Sequence, residues 1–161
     1  MKFKIKKLGK FCGAKASFYS IVGDNMNLFG NFLLENEKTF QAEVLNILGR
    51  IKNMADKSGA KETFFKPDES SDFRDEKVVA FYDIPDSNLR LFCIRLSEKL
   101  VIIGGGGHKS KSIIKWQQSR KLISEIHKVM AVSELLEKRM SHGNIRISAD
   151  ELFLEGDLEL N

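Results

Sequence analysis

The chain has 161 residues, enough for one ordinary domain with a real core and no need of disulfides or metals. At 42% hydrophobic and 30% charged residues it falls in the globular range and outside the disordered one. Its net charge of +4 is a mild excess that favours a nucleic-acid partner only if it is gathered on one face.

The basic residues are unevenly spread. Lys2 to Lys15 and Lys99 to Lys121 are rich in cations, whereas Asp150 to Asn161 carries acids and no base. Blocks of this kind are also what a solvated surface looks like. The first residues, Met1-Lys-Phe-Lys-Ile-Lys-Lys-Leu, have the charge of a signal peptide without its apolar core. The longest apolar run, Leu100-Val-Ile-Ile, is far too short to span a bilayer, so a cytoplasmic protein with no membrane partner is expected. Cys12 and Cys93 lack ligand-spaced neighbours and read as free thiols in a reducing compartment.

In chain order, Ser17-Phe-Tyr-Ser-Ile-Val reads as a strand ended by Gly23-Asp-Asn. Leu28 to Leu34 is a short apolar helix. Asn36 is placed to cap the next helix, whose Phe40, Val44, Ile47, Leu48, Ile51 and Met54 follow a 3.6-residue period until Ser58-Gly59 stops it. Beyond the polar loop around Pro67 the period becomes two. Val78 to Ile84, Leu89 to Leu96 and Leu100 to Ile103 then form three strands on short turns, an antiparallel meander. After four glycines, a long amphipathic helix is expected from near Ser112 to about Met140, followed by a tail with a strand and a short helical turn. The class is α+β, a meander packed against N-terminal helices, with one sheet face left open for binding.

Gly104-Gly-Gly-Gly-His-Lys-Ser after a strand evokes a phosphate-cradling loop, but His108 stands where glycine should precede the lysine and Ile103 where the loop should open. The glycines fit a bulged strand end equally well. His108, His127 and His142 are too far apart in sequence to suggest a metal site, and no cofactor or metal is implied. There remains a basic constellation. Arg90 begins the middle strand; His108, Lys109, Lys111 and Lys115 gather where the third strand ends; Trp116 and Arg120 follow on the last helix. The start of strand two and the end of strand three share one end of a meander, so Arg90 can approach the lysines. Cations beside an imidazole and an aromatic suit a phosphodiester and a stacked base; they equally suit a solvated rim with Trp116 in the core.

The order helix, three-stranded meander, helix resembles the RelE/HigB-type toxins of bacterial toxin–antitoxin systems, including their phage-derived HigB-like branch. The resemblance rests on Phe32-Leu-Leu-Glu-Asn through Ala55, Gly59-Ala-Lys-Glu-Thr-Phe, and Leu89-Arg-Leu-Phe-Cys-Ile-Arg-Leu-Ser-Glu-Lys-Leu-Val-Ile-Ile continuing through His108-Lys-Ser-Lys. It covers about residues 28 to 126 of a single 1–161 domain. It implies a metal-independent endoribonuclease that cuts mRNA, free or ribosome-bound, and is neutralised by a cognate antitoxin. Arg90 would offset charge on the phosphorane, Lys109 or Lys111 would be the basic residue of the strand end, and His108 would supply the acid–base group. Lys115, Trp116 and Arg120 would bind RNA, Trp116 standing where some members have tyrosine. The competing class is a non-catalytic RNA- or protein-binding module on the same fold.

Overall fold

A computed structural model describes residues 1–67, 77–82, 86–109 and 119–160. The elements run β1 (Phe3–Cys12), β2 (Ser17–Gly23), β3 (Met26–Asn27), α1 (Leu28–Asn36), α2 (Gln41–Asn53), β4 (Phe65–Pro67), β5 (Val78–Phe81), β6 (Leu89–Arg95), β7 (Leu100–His108), α3 (Arg120–Ser141), β8 (Ile145–Ile147) and β9 (Leu154–Gly156). The expected meander is present: β5 pairs antiparallel with β6, and β6 with β7. It lies within a larger mixed sheet of order β1-β2-β7-β6-β5-β4, because β7 also pairs in parallel with β2, from Ser17↔Leu100 to Ser20↔Ile103. Every residue of β2 and all of β7 except His108 are buried, the condition under which parallel strands carry near-continuous apolar runs.

Helices cover both faces of the sheet, which corrects the expectation of one open face. Phe29, Phe32, Val44, Ile47 and Ile51 of α1 and α2 share one core with Phe18, Leu91, Cys93, Val101 and Ile103. Leu122, Ile126, Val129, Val132 and Leu136 of α3 share the other with Tyr19, Ile21, Phe92, Ile94 and Ile102. Alternation along each strand supplies both layers at once. The tail forms a β8–β9 hairpin in place of a helical turn, and Leu154 N–H donates to the Tyr19 hydroxyl at 2.9 Å. The chain then pairs with β1, with Ile5 N–H donating to Leu158 O at 2.9 Å and Leu160 N–H to Phe3 O at 2.8 Å.

Two helix starts differ from expectation. Asn36 is buried at the end of α1 and donates from Nδ2 to Phe32 O at 2.8 Å, while α2 begins at Gln41. The described part of α3 begins at Arg120, where Ser119 Oγ accepts from Leu122 N–H at 3.4 Å; residues 110–118 lie outside the described residues. Gly59, at φ 75°, stops the second helix as expected.

The four glycines form the second half of β7. Between Leu91↔Gly106 and Cys93↔Ile103 the register slips, so that Phe92 alone faces Gly104 and Gly105, a β-bulge. A Cβ on Gly104 would run into Val129 of α3, one on Gly105 into the Glu125 carboxylate, and one on Gly106 into the Arg90 carbonyl. The run is thus a strand stripped of side chains so that α3 can lie directly on it. Ladder pairing with β6 leaves no loop there to cradle a phosphate.

The position of each glycine sets what a methyl group costs. Gly106→Ala meets backbone and is expected to lose about 2–3 kcal/mol, whereas Gly107→Ala meets the flexible Lys121 stem at 3.1 Å and Leu122 at an ordinary contact distance of 3.5 Å, and should lose less than about 1 kcal/mol. Thermal melts of the two variants check the ranking, and equal losses would contradict the packing described. Cysteine reactivity gives a second check. Both thiols are free; Cys93 is buried in β6, with burial pushing its thiol far above the usual range, while Cys12 is half-buried. A thiol reagent should label Cys12 in the native protein and Cys93 only on unfolding.

Candidate nucleic-acid interface

The antiparallel pairing of β6 and β7 brings Leu89 opposite His108 and Arg90 opposite Gly107. Lys109 N–H then donates to Asn88 O at 2.8 Å, which extends the ladder by one bond past His108. The start of β6 is held from α2, whose Glu43 accepts from Asn88 N–H at 2.8 Å, Asn88 Nδ2 at 2.7 Å and Leu89 N–H at 3.3 Å. Three donors on one carboxylate fix this end of the sheet against the first turn of α2, where the helix dipole also favours an acid.

On that support, His108 is exposed and its ring stacks on Phe40, with centroids 5.1 Å apart and planes at 28°. Phe40 is the residue before α2, half-buried and packed against the core under that helix. The pair presents an aromatic surface with a polar edge, beside the half-buried Lys109.

The same alternation that builds the sheet separates Arg90 from His108. Leu89 and Leu91 point into the core under α1 and α2, and Phe92 and Ile94 into the core under α3. Arg90 therefore points toward α3, and it is only 7% exposed. His108, opposite Leu89, points toward α2. Backbone proximity is as expected, yet the guanidinium and the imidazole leave opposite faces of the sheet.

Near Arg90 the charges are compensated. Lys121, whose stem lies over Gly107, bonds to Glu35 at 3.2 Å and to Glu125 at 3.0 Å. Burial pulls the Lys121 ammonium down, but the carboxylates of Glu125 and Glu35 outweigh it and hold the group above its ordinary range. Glu125 is 4% exposed and also receives Lys128 at 3.4 Å.

Arg120 is exposed at the start of α3 and lines a groove on the β1 side of that helix with Met1, Phe3 and His127, away from the Phe40–His108 pair. Lys111, Lys115 and Trp116 lie outside the described residues. The structure thus joins His108 and Lys109 at one rim and turns Arg90 inward. It adds Phe40, Glu43 and Glu125, none of which the sequence singled out as a site residue. For Glu43 the available signal was an acid in a helix first turn; for Glu125, a carboxylate on the apolar side of a helix. Among the described residues no three His, Cys, Asp or Glu side chains converge as a metal site, and no helix is long and apolar enough to cross a membrane. No protein-family model, curated protein or solved structure matches the chain.

Proposed function

We propose that this protein binds single-stranded RNA at the β6–β7 end of its sheet, as a binding module on a RelE/HigB-like plan. The observation that carries the reading is the exposed His108 ring stacked on Phe40 beside Lys109. An aromatic platform next to a cation accepts an unpaired base and its phosphate with little regard to sequence. The order of helices, meander and long last helix supports the plan. The parallel β2–β7 pairing and the β1–β2 hairpin are features that the resemblance did not include.

The second reading is the catalytic one, an mRNA-cutting toxin neutralised by a cognate antitoxin. It is favoured by one observation: His108 is an exposed imidazole at the same rim, a group of the kind that serves as general acid or base. Arg90, buried under α3, is a scaffold residue in both readings.

Binding of a fluorescent single-stranded RNA, followed by anisotropy, separates the cases. Phe40→Ala and His108→Ala should each weaken it by about 1–3 kcal/mol, and added salt should weaken it further. Unchanged affinity in both variants would remove this site. If the protein also arrests growth and cuts mRNA, His108→Ala should slow cleavage. Arg90→Ala should lower the melting temperature, in contrast to the rim variants, because it empties a buried position.

A further inference from the structure

The side of α3 toward β1 carries a half-buried apolar stripe at the margin of the sheet core, against which Ala131 and Leu135 pack with part of their surface left open. Ile123, Ala131 and Leu135 recur four residues apart, with His127 between them, and the three apolar residues are half-buried where the sheet-facing side chains of the same helix are fully buried. Met1, before β1, and Phe3, its first residue, make the opposite wall; Met1 is 68% exposed and Phe3 is buried. The resulting groove has a volume of about 890 Å³.

Its rim is cationic. Arg120, Lys128 and Lys138 line it with His127, against the single acid Glu134. Lys128 is partly offset by Glu125 at 3.4 Å, whereas Arg120 and Lys138 form no ion pair among the described residues. Lys138, in the last turn of α3, is accounted for by the helix dipole. Arg120 is not: it opens a helix whose first turn contains no acid, where a cation opposes the dipole. A residue that costs the helix stability and stands unpaired at the mouth of an apolar groove is better explained by what it meets there.

We infer that this groove receives an amphipathic helix of a partner protein, apolar along one stripe and acidic along its flanks. The i±4 ridges of α3, Ile123-His127-Ala131-Leu135 and Arg120-Ser124-Lys128, offer the grooves into which such a helix packs, and Ser124 and Ala131 keep them shallow. Acidic flanks match Arg120 at one end and Lys138 at the other. A second copy of this chain would bring the same cations face to face. RNA is disfavoured because the floor is mainly aliphatic, with His127 the one exposed ring among its lining residues and Phe3 buried. The groove is on the β1 side of α3, so the inference stands apart from the RNA reading, and its failure leaves the Phe40–His108 platform untouched.

The probe is a synthetic helical peptide with leucines at i, i+3, i+4 and i+7 and glutamates elsewhere, compared with a lysine counterpart in which every glutamate is replaced. Added to the full chain, the acidic peptide should shift the NMR signals of Ile123, Ala131 and Leu135, bind more tightly than the lysine counterpart, and weaken with salt. The double variant Arg120→Gln/Lys138→Gln should weaken it about tenfold with an unchanged melting temperature. Ala131→Glu should abolish the shifts. Equal binding of the two peptides, shifts confined to another surface, or no binding would overturn the proposal. So would displacement from these residues by single-stranded RNA or anionic vesicles, which would assign the face to a polyanion or a lipid surface. Self-association lost in Ala131→Glu would assign it to a second copy.

Discussion

The close approach of α3 to the glycine half of β7 is the contact on which the rest of the molecule depends. β7, like β2 beside it, has a parallel neighbour on one side and an antiparallel neighbour on the other, and it is buried under helices on both faces. Where its side chains end at Ile103, the helix comes down onto backbone, with Val129 over Gly104 and Glu125 over Gly105. Bulk at those positions would lift α3, uncover Phe92 and Ile102, and break the seating of the terminal hairpin against Tyr19.

That contact also explains the charges around it. A carboxylate at Glu125 can be tolerated almost out of water because Lys121 and Lys128 of the same helix reach back to it, and Lys121 extends the network to Glu35 of α1. The network links the helix on one face of the sheet with a helix associated with the other. It sits beside Arg90, so part of the positive charge that looks available in the sequence is spent inside the fold. What remains at the surface includes the lysines of β1, the Phe40–His108–Lys109 rim and the Arg120–Lys138 flank of α3.

The edges of the sheet follow a consistent logic. On one side β1 exposes lysines along its length, and the terminal residues Leu158 to Leu160 pair with its first half. On the other, β4 is only three residues long and ends in Pro67, which cannot donate to a further strand. Both devices discourage sheet-to-sheet association and direct partners to side-chain surfaces.

Local pattern in the sequence was enough for the class, for β2, α1, the 3.6-residue stripe of α2, the meander and, in the apolar stripe of α3, Leu122, Ile126 and Leu136 but not Val129 or Val132, because period and turn chemistry are properties of neighbours along the chain. It also placed Arg90, His108 and Lys109 at one end of the sheet, since antiparallel pairing follows from short turns. It could not show that β7 pairs in parallel with β2, a contact between segments some eighty residues apart for which no local signal exists. Nor could it show that helices take both faces, that the tail returns as a hairpin on Tyr19, or that the bulge at Gly104–Gly105 belongs to packing and not to phosphate binding. The fate of Arg90 shows the reason most clearly. Alternation says that it faces away from His108, but only the tertiary structure decides that α3 covers that face. An arginine that reads as a surface cation in the sequence becomes a buried residue once a distant helix is laid over it, because burial is a property of everything packed against a side chain and not of its neighbours in sequence.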